Sequence, residues 1–356
     1  MTDLAQKRPG TNPALGIVIF VLIVVAGLFY VKWSPYYHRA FTAAETHSIG
    51  QSILTGGQAA PPAPSLSAAL DYAFAYGKAI WPAMVLGLLL GSGVQALLPR
   101  RWIMRALGGT GLGSVVAGGL LSVPAMMCTC CAAPVVAGLR KCQAAPGSAV
   151  AFWLGNTMLN PAALIFMGFV LGWNWTGLRL TLGVVMVFGL GWLINRMSRG
   201  STRSFDENQM AAMQAQGEMA DGRPFARWMK LLGGMTLRLV PEYIVLLLLL
   251  GAARAWLFPY IDTSVDNSLL WVAGFALAGL LFVIPTAGEV PIVQAMLSLG
   301  IAAGPAAALL MTLPPVSLPS LVMVARSFRR SELAALIAGI FTMGLVAAGL
   351  AIVLGF

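Results

Sequence analysis

Charge is what this sequence has least of. Only 10% of its residues are Asp, Glu, Lys or Arg, while 58% are hydrophobic; an ordinary soluble domain carries roughly 25% charged residues. A water-soluble globule is excluded. Histidine is scarce as well, and the separation of His38 and His47 fits no common zinc motif. No P-loop, hydrolase elbow or dinucleotide fingerprint occurs, so ATP-driven transport by this chain alone has no support, and nothing calls for a cofactor. The four cysteines all fall between positions 128 and 142. They are too clustered for a secreted disulfide framework and read as one site.

What is present is a succession of apolar runs: 14–31, 70–98, 111–127, 132–139, 147–157, 161–173, 177–195, 238–258, 269–284, 291–299, 304–313, 316–325 and 332–356. About 20 helical residues cross a bilayer, and several of these runs are shorter than that. The short ones are bounded by Pro, Gly, Asn or Ser, which break helices. The pattern predicts an all-α polytopic membrane protein with broken helices and re-entrant hairpins, resident in the cell membrane with lipid as its neighbour. The run 14–31, after Lys7 and Arg8, reads as a first transmembrane helix rather than a cleaved signal, with a cytoplasmic N-terminus.

The formal net charge of +10 is concentrated between apolar runs, which suits orientation in a membrane rather than nucleic-acid binding. Arg100, Arg101 and Arg105 mark one cytoplasmic side, with Trp102 and Met104 suiting a short interfacial helix. Residues 196–237, with six Arg and Lys between Arg196 and Lys230, mark a second as a linker, and Arg326, Arg329 and Arg330 a third. Asp262 and Asp266, and the Trp173 and Trp175 loop, are placed outside. Lys78, Glu242 and Arg254 read as anchors near span ends. Four regions result: 1–67, a first span and outer loop; 68–195, a first repeat; 196–237, the linker; and 238–356, a second repeat.

The repeat is visible in the letters. "GLLSVPAMMCTCCAAPVVAGLRKCQAAPGSA" resembles "GLLFVIPTAGEVPIVQAMLSLGIAAGPAA", pairing Pro134 with Pro291 and Gly147 with Gly304, both 157 positions apart. Each copy is followed by a polar break, "GNTMLNP" and "LPPVSLP". The charge-based orientation makes the copies inverted, and inverted repeats with interrupted helices are a signature of secondary transporters, whose sites lie where the breaks meet.

Three features could carry chemistry. In an extended break, Cys128 and Cys130 would project to the same side and Cys131 elsewhere, with Cys131 capping the next half-helix and Pro134 in its first turn. Thiolates at such a helix start select soft partners, whereas Cys142, at a hairpin tip with Arg140 and Lys141, reads as incidental. Asn156, Thr157 and Asn160 are polar groups in a stretch with no charge between Cys142 and Gly177; Asn160 suits a helix cap, and all three suit a polar cavity wall. Glu289 is the only charged residue between Asp266 and Arg326, and an intramembrane carboxylate commonly marks an ion path or a substrate contact.

The segment "CTCCAAP", with "LRKCQAAPGSAVAF", "LNPAAL", "EVP" and "VSLPSLV", resembles the predicted-permease family that includes the ArsP organoarsenical permeases. The likeness spans roughly 81–350. It implies that Cys128 and Cys130 match the family's paired thiols, associated in ArsP-type members with outward movement of trivalent, thiol-reactive arsenicals; Cys131 stands where the family usually has Gly. The expectation is a permease, not an enzyme, for a small thiol-reactive or metalloid solute. Cys128, Cys130, Cys131, Asn156, Thr157, Asn160 and Glu289 are its candidate substrate contacts. A reduced sulfur compound or a soft metal ion is the alternative solute, and a membrane thiol–disulfide oxidoreductase is the alternative class.

Overall fold

A computed structural model describes residues 13–50, 65–202, 224–257 and 265–356, and among these every regular element is a helix. Six helical stretches are long and apolar enough to cross a bilayer: Gly16–Thr46, Leu66–Leu97, Pro146–Val170, Trp173–Ser198, Phe225–Ala253 and Arg330–Leu354. Their lateral faces leave large apolar side chains exposed, among them Leu22, Phe74, Leu237, Leu249 and Val353, as lipid-facing helices require. The chain is a polytopic membrane protein.

The first span is longer than its apolar run. α1 (Pro13–Leu28) widens into a π-helical segment, Phe29–Trp33, and continues as α2 (Ser34–Thr46). The outer loop expected after residue 31 therefore begins as helix, because Pro35 sits in the first turn of α2, where its missing N–H is tolerated. α3 (Leu66–Leu97) follows, then the short α4 (Arg100–Leu107), which meets the next helix at 112°. Residues 196–237, read as linker, are partly helical: α9 (Trp173–Thr202) runs into them and α10 (Pro224–Leu257) starts within them. The reason is that Arg and Lys are good helix formers, so helices continue past their apolar portions; the remainder of that region lies outside the described residues. Trp173 and Trp175 likewise stand in the first turn of α9, not in a loop.

Between the long helices the chain is broken into short ones. α5 (Leu112–Ser122) and α6 (Thr129–Lys141) form a hairpin whose tip lies at 123–128, since the Ala145 N–H returns to the Leu107 carbonyl at 2.7 Å. α7 (Pro146–Met158) and α8 (Pro161–Val170) make one interrupted span. The same order recurs: hairpin α11 (Leu269–Leu281) and α12 (Glu289–Ser298), interrupted pair α13 (Ala303–Thr312) and α14 (Leu318–Val324), and long α15 (Arg330–Leu354). Leu112 and Leu269, Pro146 and Ala303, Pro161 and Leu318, and Trp173 and Arg330 open corresponding helices, each pair 157 residues apart. The two hairpins are anchored to different segments. The base of the first touches Leu107, while Gln294 in the second donates to the His47 carbonyl at 3.1 Å, beside Phe169, whose carbonyl takes the His47 ring nitrogen at 2.7 Å.

Packing around the first hairpin depends on residues without side chains. A Cβ on Gly87 of α3 would overlap the Cys131 carbonyl oxygen, and one on Gly91 would overlap that of Pro134. Close backbone approach of this kind is how membrane helices associate when water provides no driving force between them. On the open face of the same helix, a Cβ on Gly77 would meet nothing within 4 Å. Lys78 is exposed on α3, and Glu242 reaches Arg326 at 3.8 Å in a solvated pair of little energetic weight.

A Gly87→Ala substitution should therefore destabilise the protein by about 1–3 kcal/mol, since backbone cannot yield as a flexible side chain does. Gly77→Ala should leave the detergent-solubilised melting temperature unchanged. Equal melting temperatures for the two variants would show that the α3–α6 seam is not tight.

Candidate functional site

The site is made of interruptions. In the first, Pro124 ends the helix within the 3₁₀ turn Val123–Ala125, Met126 adopts a left-handed backbone (φ 49°), and Cys128 is the extended N-cap of α6. Such conformations are costly for residues other than glycine and persist only where neighbours enforce them. The enforcement is visible. Asn156 Oδ1 accepts from the Met127 N–H at 3.2 Å, Trp153 Nε1 donates to the Thr129 carbonyl at 3.1 Å, and Trp33 Nε1 donates to the Pro124 carbonyl at 2.8 Å. Inside a bilayer each freed backbone group would otherwise cost several kcal/mol.

The equivalent interruption in the second hairpin spans 282–288. Its carbonyls at Val283 and Ile284 accept from the hydroxyls of Tyr72 (2.7 Å) and Tyr76 (3.0 Å) of α3. Ala287 is left-handed (φ 65°), two residues before Glu289, as Met126 is two residues before Cys128. Glu289 is the first residue of α12, where a carboxylate is favoured by the helix dipole. The two interrupted spans contribute Asn160, which caps α8 by accepting from the N–H groups of Ala162 (3.0 Å) and Ala163 (3.3 Å), and Ser317, which caps α14 in a reciprocal box with Ser320.

The thiols are arranged differently from the extended-break expectation. Cys128 Sγ lies 2.9 Å from Cys131 Sγ, whereas Cys130 turns to Ser317 Oγ at 3.6 Å. The helix begins at Thr129, earlier than expected, so positions three apart share a face and positions two apart do not. The close pair is thus Cys128 with Cys131, and the N-cap is Cys128, not Cys131; Pro134 lies inside the helix rather than at its start. All four thiols are free and buried. Cys142, at the other end of a helix about 20 Å long by its 1.5 Å rise per residue, makes only a 3.7 Å contact with the Val94 carbonyl.

Two spaces meet at Cys128. A cavity of about 900 Å³ is lined by Lys32, Tyr36, His38, Arg39, Cys128, Thr286 and other residues. Beyond it lies a space of about 10 Å³ lined by Cys128, Thr129, Thr157, Arg179, Thr286, Glu289 and their neighbours, room for roughly one water molecule. Cys128 and Glu289 therefore share a cavity wall. Thr157 joins them, but Cys130, Cys131, Asn156 and Asn160 do not line either space; the two asparagines hold the backbone that forms it. The Asn160 Nδ2 is buried without a hydrogen-bond partner.

Sequence reasoning missed the partner of Glu289. Arg179 Nη1 is ion-paired with Glu289 Oε1, both side chains being at most 2% exposed, and Arg179 Nη2 donates to the Thr157 carbonyl at 2.8 Å. The signal was present, since Arg179 is a lone charge inside an apolar helix, but a span begun at residue 177 leaves it looking like a flank. Lys32 was missed for the same reason, standing one residue beyond the first apolar run. Its Nζ donates to Tyr36 Oη at 3.1 Å and to Thr286 Oγ1 at 3.3 Å. Among the described residues no group of three or more His, Cys, Asp or Glu has an arrangement that could hold a metal ion.

Comparison with known proteins places this architecture. No solved structure matches the chain. The UPF0718 protein YraQ of Escherichia coli K12 is 50% identical over 357 aligned positions, covering 99% of both chains. The UPF0718 protein MJ0584 of Methanocaldococcus jannaschii is 21% identical, covering 70% of this chain and 85% of its own length. A family model described as "Predicted permease" matches residues 14–154 and 65–354. With broken helices meeting at a buried thiol pair and ion pair, and with that match across nearly the whole chain, the protein belongs to the ArsP-type predicted permease family.

Proposed function

We propose that this permease is a secondary transporter that exports a small thiol-reactive solute, with trivalent organoarsenicals as the leading class. The observation that carries the reading is that Cys128 lines both the large cavity and the space shared with Glu289, with the Cys131 thiol 2.9 Å behind it. In this reading the halves are inverted copies, supported by the 157-residue spacing of their helix starts and by the different anchors of the two hairpins, Leu107 for the first and His47 for the second. The Arg100 end and the N-terminus are cytoplasmic, by the positive-inside rule.

The chemistry follows from the two thiols. A trivalent arsenoxide accepts both sulfurs: two As–S bonds form, and its oxygen leaves as water with the two thiol protons. Release is the reverse step: water returns its oxygen to arsenic, the two As–S bonds break and both thiols recover their protons. Cys130, turned to Ser317, belongs to packing between the halves. Glu289 is the coupling group. When it takes a proton it loses its hold on Arg179, and the contact between α9 and α12 is freed to rearrange. Lys32, Thr157 and Thr286 complete the polar lining. A reduced sulfur compound or a soft metal ion would use the same pair. The thiol–disulfide oxidoreductase reading gains from the Cys128-x-x-Cys131 spacing, and it requires a mixed disulfide with a partner.

In everted vesicles, Cys128→Ser and Cys131→Ser should each slow phenylarsine oxide accumulation by about tenfold or more, because the second As–S bond is intramolecular and supplies most of the avidity. Cys130→Ser should leave it near wild type. Normal transport by a Cys128→Ser, Cys131→Ser double variant would end the thiol reading, and trapping of an external protein on Cys128 would favour the oxidoreductase.

Glu289→Gln leaves Arg179 buried without its counter-charge and should cost about 3–5 kcal/mol of stability. The Arg179→Gln, Glu289→Gln double variant should recover part of the melting temperature but not proton-coupled transport. Full transport by that double variant would remove the ion pair from the mechanism.

A further inference from the structure

The large cavity is one-signed. Of the residues that line it, Lys32 and Arg39 are cationic and none is Asp or Glu. Arg39 is exposed, and His38 beside it is exposed too, so these two stand at the rim. Lys32 is 4% exposed and stands at the floor with Cys128, which is 2% exposed.

Among the described residues Lys32 and Arg179 are the buried cations. Arg179 is ion-paired with Glu289, and Lys32 is in no carboxylate pair. Lys32 has two hydroxyls as partners, from Tyr36 and Thr286, and the Tyr36 ring 5.2 Å from its Nζ. Hydroxyls and an aromatic face solvate an ammonium group but do not neutralise it. No carboxylate pairs with it, and the acidic groups whose charge reaches it are the Tyr36 phenol and the thiols Cys128 and Cys131; a cation so placed in a membrane protein is costly and is kept where it is used. The helix that carries it is π-wound over Phe29–Trp33, a departure from α geometry that recurs at functional positions. Thr286, its partner, belongs to the same interruption as Glu289, so an anion on Lys32 would lie between the cavity and the coupling pair.

We infer that the transported solute is an anion as well as a soft, thiol-reactive species, and that Lys32 recognises its charge while Cys128 meets its soft atom. The inference rests on the thiol-site reading and narrows it, moving weight from uncharged arsenicals toward reduced sulfur oxyanions and acid-bearing arsenicals. Arg39 at the rim draws anions inward, and Lys32 at the floor supplies the charge-assisted contact.

Matched probes test it on the purified full-length protein in detergent. Phenylarsine oxide is uncharged, and its 4-carboxy derivative carries one negative charge at a distance from the arsenic. Wild type should bind the carboxylated probe about tenfold more tightly, the increment of a hydrogen bond to a charged group, and the preference should shrink with added salt. Lys32→Met should bring the ratio of the two affinities to about one, with a cooperative melting transition showing that the variant is folded; Lys32→Arg should keep the preference. No preference in wild type, or a Lys32→Met loss equal for both probes, overturns the inference. Binding of neither arsenical to wild type overturns the thiol reading and the inference with it, whereas equal binding of both overturns the inference alone.

Discussion

Everything in this structure depends on one constraint: a helix interrupted inside a bilayer must find partners for the backbone groups it frees. At the first hairpin tip those partners are Asn156, Trp153 and Trp33, from α7 and the first span. At the second they are Tyr72 and Tyr76 of α3. The interrupted spans are stopped by their own caps, Asn160 and Ser317. Because the partners come from distant segments, the interruptions cannot form independently, and satisfying them draws both halves to one place. The left-handed residues Met126 and Ala287 are held by the same contacts.

The placement of charge follows from that convergence. Glu289 at the start of α12 and Arg179 on α9 are each prohibitive in lipid alone, and together they tie the second hairpin to the first half's long helix. Lys32 has no such carboxylate and faces a cavity instead. The site therefore holds a carboxylate-paired cation, Arg179, and a cation without a carboxylate partner, Lys32, and Cys128 lines the spaces in which Glu289 and Lys32 stand.

Part of this was legible from residue order alone. The 157-residue spacing read from Pro134 with Pro291 and Gly147 with Gly304 reappears in the starts of four pairs of helices, because proline and glycine act on the backbone locally, whatever lies around them. Asn160 as a cap and Glu289 as a buried carboxylate at a helix start were legible for the same reason. The thiol geometry was not. Whether Cys128 pairs with Cys130 or Cys131 depends on which residue opens the helix, and that boundary is set by Asn156 and Trp153 from another element. Arg179 and Lys32 were hidden because a hydropathy run ends at a charge whether the helix does or not.

The sequence by itself determined that the chain lives in a membrane, that its helices are broken at repeated positions, and that thiols belong to one half and an unshared carboxylate to the other. Those are properties of composition and of local backbone chemistry. Only the tertiary structure decided which groups face each other: Cys128 with Cys131, Glu289 with Arg179, and Lys32 with the floor of a cation-lined cavity. Pairings between residues 110 or more positions apart are fixed by how helices pack through Gly87 and Gly91 and by which freed carbonyls find donors, and no local rule of sequence contains that information.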